Sequence, residues 1–231
     1  MNTIIIGERY KEKLEKPLKI HGFEAFWLPG NPNVDPRLAS HSDLSVFLYG
    51  KTAVLANYLK DSEIVKLLTK RGINVIISKE TQNIKYPRDI NLCALTVGER
   101  LLHNIEYTDC IIKEFKFTDF VHINQGYARC TALAVNENCI ITADAGIADA
   151  AVKIGIDVLK IQKGFIKLDG FDEGFIGGAA FKAGDTIYFT GEINYHPDGK
   201  RIVDYIKERG LDCVCLTKEA PFDIGGAIYI A

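Results

Sequence analysis

Residues 222–231 read FDIGGAIYIA, a Gly-Gly pair followed by an apolar run with the character of a β-strand. Residues 174–191 read GFIGGAAFKAGDTIYFTG. There the same Ile-Gly-Gly-Ala runs on into a Gly184-Asp185 turn and a second strand, the usual chemistry of a hairpin. The copy at 222–231 has no second strand after it. A match exists at the other end of the chain, where NTIIIGE (2–8) corresponds to TIYFTGE (186–192). The first and last strands are therefore expected to pair, with the two termini standing where the turn would be.

With the 174–191 pair, four hairpin signatures run along the chain; the other three are DLSVFLYG/KTAVLA (43–56), DINLCALTVGE/RLLHN (89–104) and YARCTALAVNEN/CIITAD (127–144). Gly50-Lys51, Gly98-Glu99, Asn136-Glu137-Asn138 and Gly184-Asp185 supply the turns. A second pattern interleaves with them. Gly, an apolar residue, a short polar residue and an apolar run recur as GFEAFWL (22), GINVIIS (72), GIDVLKI (155) and GLDCVCL (210), with a degenerate KFTDFVHI at 116. Amphipathic stretches precede these at 61–71, 146–154 and 196–209, and at 8–16 a shorter one that Pro17 is expected to end early. Each reads as a helix closed by a Gly C′ residue, followed by a buried strand. The anchors recur at intervals of roughly 40–55 residues, and the interval that runs through the termini falls in the same range.

The expected fold is thus α/β: a five-fold pseudosymmetric propeller of strand-strand-helix-strand units, closed by the terminal strands. The units lie near 222–231 with 1–30, 41–80, 86–123, 124–166 and 167–220, within a single domain spanning 1–231. Closure removes the exposed edges that an open stack of repeats would leave.

Composition bounds the function. Net charge is −2 and 25% of residues are charged, which predicts no polyanion-binding surface and no nucleic-acid partner. No apolar run is long enough to span a membrane, and Met1–Gly7 lacks the basic n-region of a signal peptide. Six scattered cysteines without a CxxC pair point to free thiols and a cytoplasmic setting. The five histidines show no metal-ligand spacing, and CVC at 213–215 alternates across a strand, so no metal site or other cofactor is expected. Asp144 with Thr142, and Asp61 with Ser62, read as helix caps. Nothing in the sequence speaks to oligomeric state.

HSDLSVF (41–47), YPRDINL (86–92), QGYARC (125–130), GFIGGA (174–179) and DIGG (223–226) resemble a bacterial family of unassigned activity within the pentein, or guanidino-group-modifying enzyme, fold. More distantly, the five-unit ring is similar to the arginine and agmatine deiminases and dimethylarginine dimethylaminohydrolase. It also resembles the ribosome anti-association initiation factor that shares the fold. In the enzymes, the resemblance implies, a Cys thiolate attacks a guanidinium carbon, a His moves protons, and carboxylates hold the guanidinium nitrogens. The nucleophile lies near the C-terminus, in a pattern like Gly-Gly-x-x-His-Cys.

Here Gly225-Gly226 is followed by Ala227, Ile228, Tyr229 and Ile230, with neither Cys nor His. HSD at 41–43 resembles the His-x-Asp of the deiminases, which would make His41 the proton shuttle and Asp43 a guanidinium ligand. In the deiminases that motif lies mid-ring, whereas here it opens the first complete unit. Cys130 aligns with Gly177 and Gly225 and is the first substitute for the nucleophile. Cys93, placed by strand alternation on one face with Asp89 and Asn91, is the competitor. Asp43, Asp89, Arg129 and Asp223 fall near one point of four units and are expected to converge at one mouth of the ring as ligand-binding residues. The primary expectation is a pentein-fold protein that binds a small cationic or zwitterionic, guanidino- or amino-acid-like ligand in the central channel. The alternatives are a non-catalytic interaction module and an amidinohydrolase-like enzyme using Cys130 or Cys93 with His41.

Overall fold

The structure, a computed structural model, describes residues 2–231. Five three-stranded sheets are arranged as blades. The split blade joins β1 (Thr3–Gly7), α1 (Lys11–Ile20) and β2 (Glu24–Leu28) to the last strand, β15 (Ile228–Ile230). The next holds β3 (Val46–Tyr49), β4 (Thr52–Leu55), α2 (Glu63–Lys70) and β5 (Asn74–Ile77). Then come β6 (Leu95–Val97), β7 (Arg100–His103), a single turn α3 (Cys110–Lys113) and β8 (Asp119–His122). The fourth blade is opened by the one-turn α4 (Ala128–Thr131) and contains β9 (Ala132–Asn136), β10 (Cys139–Thr142), α5 (Ala145–Lys153) and β11 (Asp157–Lys160). β12 (Ala180–Ala183), β13 (Thr186–Phe189), α6 (Gly199–Lys207) and β14 (Asp212–Cys215) form the fifth.

Every blade has the same wiring. Its inner strand pairs antiparallel with the middle strand, which pairs parallel with the outer strand across a helical crossover. In the split blade the inner strand comes from the far end of the sequence: Thr3, Ile4 and Ile5 face Ile230, Tyr229 and Ile228. The chain ends thus meet as a hairpin without its turn, and the propeller is five-fold pseudosymmetric. The four clean Gly anchors take left-handed backbone, with φ between 71° and 79°, as helix-closing residues do. Apolar clusters fill the seams between neighbouring blades. One packs α1 and β1 against Phe181 and Leu216, and another packs Ile5 and Ile228 against β3, β4 and α2. No helix of the described residues is long and apolar enough to cross a membrane.

Two local expectations are corrected. Pro17 does not end α1, which runs on to Ile20. Pro17 removes one backbone donor, but the fully buried Leu14 and Leu18 on either side hold the turn against the blade. The inner strands are also shorter than expected: residues 43–45, 89–94, 127–131, 174–179 and 223–227 are turns, bends or a helical turn rather than ladder. Near the ring's axis their backbone groups bond from unit to unit. Asp43 N donates to Gly225 O (3.3 Å), Arg129 N to Cys93 O (3.1 Å) and Gly178 N to Cys130 O (2.8 Å), while Ile224 N and Gly226 N both donate to Gly178 O. The segments that carry the candidate site residues are therefore a hydrogen-bonded hub, not strand ends.

Candidate functional site

The hub gathers side chains from four units. His41 and Asp43 precede β3, Cys93 precedes β6, Cys130 sits in α4, and Asp223 precedes β15. All five are buried. The Cys130 thiol donates to Asp43 Oδ2 at 2.7 Å and the Cys93 thiol to the same oxygen at 3.3 Å. His41 Nδ1 lies 3.9 Å from Cys130 Sγ and 3.9 Å from Asp223 Oδ1. Asp223 is fixed by backbone donors, Phe175 N and Gly225 N, each at 2.9 Å. The fit is tight enough to select glycine: a Cβ on Gly178 would stand 1.9 Å from Asp223 Oδ1. Two polar atoms in the cluster, His41 Nε2 and Asp43 Oδ1, have no hydrogen-bond partner.

Burial governs the electrostatics. It pushes the Cys130 thiol well above its ordinary pKa, with the Cys93 thiol adding to the effect, and it raises Cys93 as well. Asp223 is raised by burial against the pull of His41 and its two backbone donors. Asp89 is raised by burial, partly offset by the Tyr127 hydroxyl, which donates to Asp89 Oδ2 at 2.6 Å. Both thiols are therefore protonated at neutral pH in this arrangement.

A small chamber of about 140 Å³ opens beside this cluster, bounded by His41, Cys130, Asp223, Tyr127, Phe171 and Phe175 among others. Glu173 adds a second carboxylate to its wall, and no Lys or Arg lines it. At the rim the Arg37 guanidinium lies 4.2 Å from the Phe171 ring centre. Asp43 is not part of the wall; it lies behind Cys130. Arg129 faces elsewhere. It borders a separate space of about 320 Å³ lined by the inner strands, and its Nη2 donates to Ala227 O at 2.9 Å.

Of the residues singled out in the sequence, His41, Asp43, Cys130 and Asp223 come together, as does Cys93. Asp89 reaches the chamber only through Tyr127. As a strand, which its composition suggests, the segment holding Tyr127 would turn 127 and 129 to one face and 130 to the other. In the helical turn it is 127 and 130, three apart, that lie on the same side. Asn91, expected beside Cys93, turns away and donates to Asp109 Oδ2 at 3.0 Å. Of the expected caps, Asp144 accepts from Ile147 N at 2.8 Å, whereas Ser62 makes no side-chain cap bond.

The chain belongs to the Family of unknown function (DUF6873), whose family model matches residues 5–228. No curated protein matches its sequence. Among solved structures it is similar to the dimethylarginine dimethylaminohydrolase DDAH from Pseudomonas aeruginosa, a Cys-to-Ser variant complexed with citrulline. The TM-score is 0.56 and the identity 10%, over 99% of this chain and 98% of that one. The N-terminal domain of ArgZ, a cyanobacterial arginine dihydrolase, gives a TM-score of 0.55 at 13% identity over 98% and 95%. A candidate peptidyl-arginine deiminase gives 0.60 at 7% over 99% and 95%. These likenesses establish the pentein fold for the chain.

Proposed function

We propose that the chamber takes the cationic head of a small guanidino- or amino-acid-like ligand and that Cys130 and His41 act on its amidino carbon. The observation that most supports this reading is the path from Cys130 Sγ through His41 Nδ1 to Asp223 Oδ1, two steps of 3.9 Å along one wall of a largely apolar chamber that also includes Glu173. At about 140 Å³ the space falls below the roughly 300 Å³ of a small whole-ligand pocket, so it suits a head group whose tail extends past Phe171. Asp223 and Glu173 would face the cation. Asp43, which the family resemblance would give to the guanidinium, bonds the thiol instead.

The position of Cys130 in the ring supports the same reading. The resemblance puts the His-x-Asp motif of the deiminases mid-ring and their nucleophile later, near the C-terminus. Here too the thiol follows the His along the chain: Cys130 stands two units after His41, and the unit just before His41 around the ring supplies Asp223. The DDAH structure holds citrulline and the ArgZ structure its substrate, ligands of the matching chemical class. In the proposed step the Cys130 proton passes to His41 and the sulfur forms a bond to the amidino carbon. The C–N bond breaks, and the departing amine takes the proton from His41. Water then releases the ureido product and restores the thiol.

A second reading, binding without turnover, is favoured by the protonated state in which burial holds Cys130. One experiment separates the two. Arginine, agmatine, methylated arginines and guanidinoacetate are screened by thermal shift and by colorimetric ureido detection. Turnover that disappears in Cys130→Ala and in His41→Ala but survives in Cys110→Ser carries the catalytic reading. A thermal shift abolished by Asp223→Asn, without product, carries the binding reading. No shift and no product with any of these compounds overturns both.

A further inference from the structure

Cys93 has no part in the proposed chemistry, yet it is fully buried and shares a carboxylate oxygen with Cys130. We propose that Asp43, Cys93 and Cys130 form a binding site for a thiophilic divalent cation of the Zn²⁺ class, with His41 as fourth ligand. Ligand atoms of Asp43, Cys93 and Cys130 lie within 4.8 Å of one another, and so do those of His41, Cys130 and Asp223. Cys130 is common to both groups. Two ligands held tetrahedrally at Zn–S of about 2.3 Å and Zn–N or Zn–O of about 2.1 Å stand about 3.6 Å apart. Cys93 to Asp43 is 3.3 Å and Cys130 to His41 is 3.9 Å, near that spacing, whereas Cys130 to Asp43, at 2.7 Å, must open, and His41, grouped with Cys130 but not with Asp43 or Cys93, must swing toward them to complete the shell.

Two independent features point to a cation there. Asp43 is completely buried and forms no ion pair among the described residues, and its Oδ1 has no partner, a costly state for a carboxylate unless a positive charge compensates it. The donor set of two sulfurs, an imidazole and a carboxylate matches the preferences of Zn²⁺ rather than those of Mg²⁺ or Ca²⁺. Binding would displace both thiol protons, a release coupled to metal uptake. Sequence spacing could not reveal this site, because its ligands come from three different units. The site does not depend on the catalytic reading. If that reading holds, a bound metal ties up Cys130 and silences it; if it fails, the metal site stands alone.

The test uses full-length protein stripped with a chelator, dialysed against Zn²⁺ or Co²⁺, and assayed for retained metal. One Zn²⁺ per chain is expected. The cobalt form should show thiolate-to-cobalt charge-transfer absorption of the strength that two thiolates give. Cys93→Ser and Asp43→Asn should each weaken Zn²⁺ binding by more than about 100-fold, beyond what loss of an outer-shell partner costs. Cys110→Ser should retain it, which separates this site from the more exposed Glu80–Asp109–Cys110 group. No retained metal, a cobalt spectrum without thiolate absorption, or dependence on Cys110 instead of Cys93 overturns the proposal. The wild-type stoichiometry and cobalt spectrum decide the matter even if Cys93→Ser fails to fold.

Discussion

Removing residues 224–231 takes β15 out of the ring and leaves β1 with an unpaired edge. Three side chains lost with it, Ile224, Ile228 and Ile230, are 0%, 4% and 5% exposed. At roughly 1.5–3 kcal/mol for each fully buried aliphatic side chain, their loss removes about 5–9 kcal/mol. That is comparable with the whole stability of an ordinary domain, about 5–15 kcal/mol. The truncated chain should be unfolded or molten in water, as read by far-UV circular dichroism and by the single tryptophan, Trp27, which lies in β2 of the same blade. A circular permutant makes the test specific to closure. Thr3 pairs with Ile230, so joining Ala231 to Asn2 through one Gly in place of Met1 gives a short hairpin loop. New ends can be opened between Gly184 and Asp185, where Ala183 pairs with Thr186. The permutant exchanges one seam for an equivalent one, so the loop-closure cost nearly cancels and its urea stability should stay within about 1 kcal/mol of the parent. A truncated chain with an unshifted cooperative transition, or a permutant that does not fold, would refute ring closure as the basis of stability.

His103 is fully buried, with Nε2 donating to Gly126 O at 3.0 Å, and burial, helped by Lys113 and His122, lowers its pKa to about 4. The unfolded chain therefore takes up this proton first as pH falls, and about 3 kcal/mol should be lost between pH 6.5 and 4. Urea titrations across that range should lose one proton's worth of slope in His103→Gln; an unchanged slope contradicts the assignment. Gly225→Ala would put a Cβ 2.4 Å from His41 Cβ on backbone with φ +73°, costing about 2–4 kcal/mol by urea denaturation, whereas Gly22→Ala, with similar φ but nothing within 4 Å, should cost about 1 kcal/mol. Equal losses would remove His41 from the explanation. A thiol placed where the enzymes keep theirs, Ile230→Cys in a Cys130→Ala background, should restore no turnover or ligand response. Ile230 packs in the seam with Ile5, Val46 and Leu55 rather than at the chamber, so rescue would argue against the chamber as the site.

How far the sequence could be read depended on how local each signal was. The repeat, the helix-closing glycines and the pairing of NTIIIGE with GAIYIA were legible because turn chemistry and strand alternation act over a few residues. The hub was less so. Its segments carry strand-like composition, yet their backbone groups bond to neighbouring units, as Gly178 N does to Cys130 O. Strand alternation therefore gives these residues faces that they do not share in the fold. Arg129 turns to Ala227 O while Tyr127 borders the chamber, and Cys93 meets Asp43 rather than Asn91. Motif resemblance found His41 and Asp43 individually, but the contact that unites Cys93 with Cys130 passes through a carboxylate from a third unit and leaves no trace in spacing.

The absence of a cysteine after Gly225-Gly226 has a different weight once the ring is known. In a linear comparison it removes the nucleophile. In a pseudosymmetric ring each unit presents an equivalent segment to the hub, so a constellation can be mounted from any starting unit if the offsets between its members are kept. Under the proposed reading, His41 and Cys130 stand two units apart, and Asp223 arrives from the unit on the other side. What cannot rotate freely is the local backbone. The aligned positions in other units are Gly177 and Gly225, and at Gly177 a Cβ would meet Arg129 O and Ala132 O at 2.4 Å. Those segments are too closely packed to hold a side chain, whereas the helical turn of α4 leaves room for Cys130 and aims it with Tyr127 into the chamber. A thiol in this ring is therefore accommodated in the fourth blade and excluded from the equivalent glycine position of the fifth.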